Sequence, residues 1–175
     1  MKGQKLLAML VGGDLRSIGR SDEAAAEVLA NPLLFQYLVK GMLSSDPVLR
    51  IRSADAAEKV TAHNPVVLVP HKKKILAVLS RADQKEVRWH VAQIIPRLAL
   101  NSSERKVAAG ILSGYLDDSS SIVRTCAMQS LAQIALTDSR LRVSITKTIA
   151  KLAESGTPAM KARGRKLLVL LKKKP

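Results

Sequence analysis

The sequence predicts an all-α fold, an α-solenoid built from about five stacked helix pairs. The first observation is an internal repeat, in which a basic residue followed by small and apolar residues recurs at Arg50, Arg88, Arg124 and Lys161. The gaps between these four positions are 38, 36 and 37 residues, a near-constant period that is typical of stacked helical repeats. The second observation is that no segment combines alternating apolar residues with hairpin turns, so we expect no sheet.

The second helix of each pair, called helix B, follows the basic residue. Small and apolar residues continue there at steps of three and four, which places them on one helix face. The four predicted faces are Leu49, Ser53, Ala56, Ala57 and Val60; Val87, Val91, Ile94, Ile95 and Leu98; Val123, Ala127, Leu131 and Ile134; and Met160, Gly164, Leu167, Leu168 and Leu171.

Each helix B is preceded by a residue that suits a helix N-terminus. A short polar side chain can accept hydrogen bonds from the first free backbone N–H groups, and proline suits the first helical position. The predicted caps are Asp46 before Pro47, Asp83 in a capping box with Glu86, Ser119 or Ser120, and Thr157 before Pro158.

The first helix of each pair, helix A, carries a second apolar stripe, which is less regular after Pro70. In the N-terminal pair we expect helix A at 5–11 and helix B at 21–30, capped by Ser21, with a long loop at 12–20 between them. The other stripes are Leu33, Leu34, Tyr37, Leu38, Gly41 and Met42; Ile75, Leu76 and Leu79; Val107, Ala108, Ile111, Leu112, Tyr115 and Leu116; and Leu141, Ile145, Thr148, Ile149 and Leu152.

The apolar–basic pair that opens each helix B, and the alanine and leucine pattern after it, resemble the HEAT-repeat family. The resemblance covers about residues 32–175, and the whole chain is similar to small bacterial HEAT proteins to which no reaction is attached. It implies one right-handed solenoid domain over 1–175. The expected repeats are an irregular one at 1–31, then 32–64, 65–100, 101–137 and 138–175.

The resemblance also implies where a ligand binds, because helices B line the concave side of a HEAT stack. Residues beside the apolar stripe then form polar columns, and such columns can track phosphates or an acidic peptide. Trp89 belongs either to this groove or to packing under the next repeat. The candidate binding residues are Arg52, Asp55, Trp89, His90, Gln93, Arg97, Gln129, Gln133, Arg163, Arg165 and Lys166.

The four recurring basic residues have a different expected role. In the family this position ties neighbouring repeats together through acidic partners in the turn between helices A and B. Asp46, Asp83 and Asp118 are near enough in sequence to be those partners. We therefore interpret the basic residues as structural, with direct ligand contact as the alternative.

Positive charge is concentrated near the C-terminus. The chain carries a formal net charge of +15, and residues 139–175 hold eleven basic residues against one acid, Glu154. This density attracts polyanions, although a terminal repeat also needs a polar outer face. A nucleic-acid site and a solubilising cap are both open interpretations.

Three other features give weak signals. The segment from Gly13 to Gly19 and Arg20 resembles a phosphate loop, but its spacing is one residue too long and no strand precedes it. The three histidines lie in different repeats without ligand spacing, so we expect no metal site, and nothing indicates a cofactor. The single cysteine, Cys126, excludes an internal disulfide and suits a small, partly buried helix position.

Composition and motifs leave three functions of different kinds. The favoured one is a non-catalytic scaffold that binds a protein in the concave groove, and the second is nucleic-acid binding through the basic C-terminal repeat. DNA-alkylation glycosylases use a related HEAT-like solenoid. Asp55 and Trp89 lie a repeat apart here, so an enzyme is disfavoured unless one cleft holds both. No stretch suits a signal peptide or a membrane span, so we expect a cytoplasmic protein.

Overall fold

The structure is a computed structural model that describes residues 2–172. These residues form ten α-helices and five short 3₁₀ segments, and no strand occurs among them. The all-α prediction is therefore confirmed. The chain divides into two compact units, Met1–Ala99 (unit 1) and Leu100–Pro175 (unit 2). The division lies at the expected junction of the third and fourth repeats, and the single repeat domain stays a prediction.

Unit 1 is built around one long helix. Helix α4 packs against α2, α3 and α6, and its face of small residues is buried, with Ala54, Ala56, Ala57 and Val60 all fully covered. Small side chains allow neighbouring helices to approach closely, which explains an alanine-rich central helix. Its helices are α1 (Lys2–Ala8), α2 (Ser21–Ala30), α3 (Phe35–Gly41), α4 (Pro47–His63), α5 (Lys72–Ala77) and α6 (Lys85–Ile94), with 3₁₀ segments at Pro32–Leu34, Pro65–His71, Leu79–Arg81 and Ile95–Arg97.

Unit 2 is more regular. Helix α8 is its centre and packs against α7, α9 and α10, and α9 and α10 also pack against each other. Met128 and Leu131 of α8 and Ile149 of α9 contribute fully buried side chains. The helices are α7 (Ser102–Gly114), α8 (Ser121–Thr137), α9 (Ser139–Ser155) and α10 (Pro158–Lys172), with one 3₁₀ segment at Tyr115–Asp117.

The predicted apolar faces of helices B are confirmed on α4, α6, α8 and α10, where every member is buried except the half-buried Leu168. The caps are confirmed in part. Asp46 accepts from the N–H groups of Val48 and Leu49, and Ser120 accepts from Val123. Thr157 accepts from the N–H of Met160, 3.4 Å away, at the start of α10.

Two predicted caps are wrong. Helix α6 begins after Gln84, whose side chain makes no capping hydrogen bond, so Asp83 lies one residue too early. Helix α2 spans Ser21–Ala30 as predicted, but Ser21 is its first helical residue. The Ser21 hydroxyl donates instead to the carbonyl oxygens of Ile18 and Arg52. Short polar residues near a helix start therefore do not locate its first residue to within one position.

The predicted stripes on helices A are only partly correct. Leu33 and Val107 are 79% and 54% exposed, while Phe35 and Val39, which the pattern omitted, are buried. Helix α1 also begins and ends earlier than expected, at Lys2–Ala8. The stripe of α3 is displaced because the chain enters it through the 3₁₀ segment Pro32–Leu34, whose tighter winding rotates the side chains.

Candidate functional site: a cleft in unit 1 and a basic surface in unit 2

Arg52 holds the long loop of residues 9–20, called here the Arg52 loop, against α4. Its Nε donates to the carbonyl of Ser17 at 3.1 Å. Its Nη1 donates to Leu10 and Gly12 at 3.3 and 2.6 Å, and its Nη2 donates to Asp14 at 3.2 Å. The residue is only 5% exposed. Arg52 is thus buried where an exposed groove residue was expected, and its donors are used within the fold.

The Arg52 loop has the opposite polarity to a phosphate loop. A phosphate loop turns backbone N–H groups inward, whereas this loop turns carbonyl oxygens inward to a cation. Gly12, Gly13 and Gly19 adopt positive φ values of 76°, 81° and 55°. A Cβ on Gly19 would lie 2.6 Å from Cζ of Arg52, so this glycine allows the backbone to approach the guanidinium. The bound arginine thus explains the glycine at position 19.

The Arg52 loop, α4 and α6 together enclose a cleft of about 510 Å³, called here the Trp89 cleft. Four of the predicted binding residues line it, namely Arg52, Asp55, Trp89 and His90. Trp89 is half-buried and its ring meets that of His90 edge-on, with centroids 5.6 Å apart. The condition that would favour an enzyme, Asp55 and Trp89 in one cleft, is therefore met. The remaining walls are Leu15, Arg16, Ser17, Ile18, Ile51, Lys85 and Glu86.

The carboxylate of Asp55 is already paired. One oxygen accepts from Nζ of Lys59 at 2.7 Å, and the same Nζ also donates to Asp22 on α2. The other oxygen lies 3.8 Å from Nε2 of His90, which is beyond hydrogen-bonding distance. Asp55 therefore binds Lys59 one turn later on α4, and Lys59 in turn connects α4 to α2.

His90 is a buried histidine that stays neutral near pH 7. Burial lowers its pKa, and this effect outweighs the opposite pull of the carboxylates of Asp55 and Glu58. Nδ1 of His90 has no hydrogen-bond partner among the described residues. Nε2 is the ring nitrogen nearest Asp55, so a small polar group placed between the two could bond to both.

The other two candidates in unit 1 are occupied by internal contacts. Arg97 donates to the carbonyl of Glu58 at 2.7 Å, to the hydroxyl of Thr61 at 2.9 Å and to the Glu58 carboxylate. Gln93 is half-buried and donates to the carbonyl of Trp89 at 3.3 Å. Arg97 therefore joins the end of α6 to α4.

Two of the four recurring basic residues, Arg50 and Arg88, bind backbone carbonyls in the turn that precedes helix B. Arg50 donates to the carbonyls of Ser44 and Ser45 at 2.8 and 3.2 Å, and Arg88 to those of Ala82 and Asp83 at 3.0 and 2.6 Å. Asp46 is not the acceptor for Arg50, because its carboxylate caps α4. Arg50 also donates to the side chain of Gln84, which connects α4 to the turn before α6.

The candidates in unit 2 form a basic surface on α10. Arg163, Arg165 and Lys166 are exposed, and Arg163 and Lys166 line an open pocket of about 290 Å³ beside Thr125 of α8. Arg163 donates to Oε1 of Gln129 at 2.9 Å, while Gln133 is exposed. We call Arg163, Arg165 and Lys166 the α10 basic surface.

Asp138 neutralises part of the charge at the start of α9. Its carboxylate accepts from Arg105 and Arg140 at 3.0 and 2.9 Å, and also from the N–H of Arg140. Hydrogen bonds from Arg140 and then Arg105 hold the pKa of Asp138 well below its usual range. Arg140 is thereby engaged, whereas Arg163, Arg165 and Lys166 face no acid within ion-pair distance among the described residues.

Sequence reasoning did not find the walls of the Trp89 cleft that belong to the Arg52 loop, nor a second pocket in unit 1. That pocket has a volume of about 550 Å³ and is lined by Pro32, Leu33, Phe35, Gln36, Asn64, Val66, Val67, Pro70 and His71. The sequence signal for this pocket is the set of prolines at 32, 65 and 70, because they interrupt the regular helices on both sides of the pocket.

Neither a metal cluster nor a membrane span is found in the described part of the chain. Within residues 2–172, no three His, Cys, Asp or Glu side chains come together in a way that could hold a metal ion. No helix in the same range is both long enough and apolar enough to cross a membrane. Cys126 is half-buried on α8, as predicted.

Comparison with known proteins adds information on the fold alone. No protein-family model matches the chain, and no curated protein matches it. Among solved structures, the chain is similar to the crystal structure of an engineered protein, a target of the Northeast Structural Genomics Consortium, with a TM-score of 0.66 at 17% identity. The match covers 97% of this chain and 79% of that chain. At this level of identity, similarity of fold carries no information about function.

Proposed function

We propose that the chain is a non-catalytic binding protein, a right-handed α-solenoid of five HEAT-like helix pairs that holds a protein partner against its helices B. The pairs would be α1–α2, α3–α4, α5–α6, α7–α8 and α9–α10. Stacking of successive helices B supports this arrangement, because α4 packs against α2 and α6 in unit 1, and α10 packs against α8 in unit 2.

The observation that carries the proposal is the Trp89 cleft. It combines a half-buried aromatic side chain with groups that can donate or accept hydrogen bonds, a composition that suits one anchor side chain of a partner. Glu86 lies at the wall with a side chain that is 25% exposed and whose nearest cation is the exposed Lys85, 3.9 Å away. Asp55 and Arg52 are bound internally. Trp89 and Glu86 are thus the residues expected to contact the partner directly.

A photo-crosslinking residue tests this assignment. We would place it at Arg16, on the cleft wall, and at Val143 of α9 as the control, since Val143 is 65% exposed and lies on a helix A. A protein crosslinked from position 16 and not from 143, and lost when Trp89→Ala is added, supports the proposal. Equal crosslinking from both positions, or persistence in Trp89→Ala, contradicts it.

The second candidate is nucleic-acid binding through the α10 basic surface, favoured by the three exposed basic residues and by the single acid in 139–175. Their exposed cations suit backbone phosphates, and the four aromatic residues of the chain are too few for base stacking to dominate. Binding of labelled duplex DNA, single-stranded DNA and RNA should be measured from about 50 to 300 mM salt.

A charge-matched control makes that measurement specific. Replacing Arg163, Arg165 and Lys166 together by alanine should flatten the salt dependence, because each phosphate contact contributes to the slope. Replacing three exposed basic residues of unit 1, Lys2, Lys5 and Arg81, removes the same charge elsewhere. If both triple variants lose affinity equally, the attraction is a property of net charge and the α10 basic surface is a solubilising cap.

A glycosylase-like activity is the third candidate, and the shared cleft of Asp55 and Trp89 favours testing it. The pairing of Asp55 with Lys59 opposes it, as does a cleft lined by one aromatic ring besides His90. Release of the modified base from a duplex carrying a methylated purine should be compared for the wild type and Asp55→Asn. We expect no release above the uncatalysed rate, and release that is lost in Asp55→Asn would contradict the non-catalytic proposal.

A further inference from the structure

The second pocket of unit 1, called here the Phe35–His71 pocket, has an apolar floor and an exposed apolar rim. Phe35 forms the floor at 2% exposure, and its ring lies 5.6 Å from that of His71, centroid to centroid. Leu33 and Val66 at the rim are 79% and 72% exposed. Large apolar side chains around a pocket of about 550 Å³ are typical of a surface that a partner covers.

The charge around this pocket is positive. None of the described residues that line it is acidic. Helix α5 begins directly after His71, and Lys73 and Lys74 are exposed there. Lys74 follows the pocket residue His71 by three positions. Burial lowers the pKa of His71, and the charge of Lys74 lowers it further. Lys72 is directed elsewhere, since its Nζ donates to the carbonyl of Ala99.

The positive charge of Lys73 and Lys74 favours one kind of occupant of the pocket over another. In a symmetric contact between two copies of this chain, each apolar rim would cover the other, and Lys73 and Lys74 of both copies would approach one another. Like charges brought together at an interface are unfavourable, so the rim suits a partner of opposite sign.

We propose that the Phe35–His71 pocket docks an acidic amphipathic segment of a partner protein. The segment inserts one or two apolar side chains between Leu33 and Val66 and places carboxylates near Lys73 and Lys74. This surface includes no residue of the Trp89 cleft, so the inference does not depend on the function proposed for that cleft.

The test uses a synthetic helical peptide with two leucines four positions apart and glutamates on both flanks, an arrangement that presents both leucines on one face. Two matched peptides replace the leucines by alanine or the glutamates by lysine. Amide chemical shifts of the labelled protein should change at Leu33, Phe35, Val66 and His71 with the acidic peptide alone. Shifts centred on α10 or on the Trp89 cleft, equal binding of the alanine or lysine peptide, or no binding at about 1 mM overturn the proposal.

Substitutions at exposed positions test the contacts without disturbing the core. Val66→Glu should weaken binding by about tenfold or more, because it places a carboxylate in an apolar contact. Lys73→Glu combined with Lys74→Glu should weaken it by about fivefold and remove its salt dependence. The controls in unit 2 are Val143→Glu, at a side chain that is 65% exposed, and Lys147→Glu with Lys151→Glu.

Two further measurements distinguish docking in the Phe35–His71 pocket from binding in the Trp89 cleft and from self-association. Trp89→Ala should leave peptide binding unchanged. Loss of binding in that variant would show that the peptide binds in the Trp89 cleft and would overturn the proposal. Sedimentation of the wild type should show no self-association that Val66→Glu removes. A dimer abolished by Val66→Glu would overturn the proposal in favour of a second copy.

Discussion

Unit 1 and unit 2 are built from the same kind of sequence but differ in regularity. Unit 2 consists of four helices of 13 to 17 residues. Unit 1 contains short helices, such as the six-residue α5, together with four 3₁₀ segments and the Arg52 loop. Both larger pockets, the only tryptophan and all three histidines belong to unit 1. The helices of unit 2 follow from the local periodicity of the sequence. The shape of unit 1 depends in addition on contacts between residues that are distant in sequence.

Several distant contacts of unit 1 are polar. Arg52 binds carbonyls 35 to 42 residues away, and Arg97 binds Glu58 39 residues away. Buried polar groups must be satisfied, so each such contact fixes a segment that has little helical preference of its own. Unit 2 has distant polar contacts too, such as Arg105 with Asp138 33 residues away, but this contact joins regular helices. Unit 1 is therefore expected to lose an irregular segment when a single polar residue such as Arg52 is changed.

Arg52→Met should have the largest effect of the changes considered. It removes donors from four carbonyl oxygens of the Arg52 loop while retaining most of the apolar stem. We expect the free energy of unfolding of unit 1 to fall by about 3 kcal/mol, since several acceptors lose their partners at once. Amide hydrogen exchange, resolved by residue, should show lost protection in residues 9–20 and in α2.

The control for Arg52→Met is Arg165→Met in unit 2. Arg165 is exposed, so its loss should change stability by no more than about 0.5 kcal/mol. If Arg52→Met leaves protection of the Arg52 loop unchanged, the loop is held by its own turns and the contrast between the units fails.

The extent to which sequence predicted the structure follows the same division. The faces of α4, α6, α8 and α10 were predictable because burial of small and apolar residues at helical spacing is a local signal. The period of 36 to 38 residues located the helices of unit 2 well. The stripe on α3 was misplaced because Pro32–Leu34 changes the winding before the helix begins.

The candidate sites were predicted less well. From the sequence, Asp55 and Trp89 were expected to lie a repeat apart. The stacking of α4 on α6 brings them, together with His90, into one cleft. Nothing in the sequence indicated that the guanidinium of Arg52 would bind carbonyl oxygens of a loop 40 residues earlier. The direction of those carbonyls depends on the turn geometry of the loop, which the local sequence does not determine. The same holds for Arg50, whose acceptors are carbonyls where carboxylates were expected.

Gly19→Ala should destabilise unit 1 by about 2 kcal/mol. Its φ of +55° is unfavourable for alanine, and the added Cβ would lie 2.6 Å from Cζ of Arg52. Gly12→Ala is the matched variant, since its φ is +76° and a Cβ there meets nothing within 4 Å. Thermal unfolding of the two variants measures how much the contact with Arg52 adds to the loss of stability. Equal losses of stability would show that only backbone conformation matters.

Mild acid should weaken unit 1 and spare unit 2, with a smaller effect than either substitution. Burial lowers the pKa of His90, so the unfolded chain binds a proton more readily, and stability is lost as pH falls below about 6.5. Asp55, Glu58 and Glu86 oppose this shift and Lys59 assists it. His71 has a pKa lowered by burial and then Lys74, and acts in the same direction.

Unit 2 contains no histidine, and the depressed pKa of Asp138 keeps its ion pairs with Arg105 and Arg140 charged until the pH falls below the usual range of a carboxylate. Hydrogen exchange at pH 7 and pH 5.5, corrected for intrinsic rates, should therefore show a loss of protection in α4 and α6 and none in α8 and α9. His90→Gln should flatten the response of unit 1. If both units lost the same protection, the histidines would not be the cause of the pH response.

The smallest expected effect is a gain. Gly110 lies inside α7, where a Cβ would meet nothing within 4 Å, so Gly110→Ala should stabilise unit 2 by about 0.5 to 1 kcal/mol through helical preference alone. Gly164→Ala should do the opposite, because its Cβ would lie 2.8 Å from Cβ of Ala153 between α10 and α9. Chemical denaturation of the two variants measures both signs. Because both glycines lie inside helices of unit 2, helical preference and local packing should be sufficient to predict the sign of each change. A loss in Gly110→Ala would mean that α7 depends on a contact that local properties do not describe, which would make unit 2 resemble unit 1.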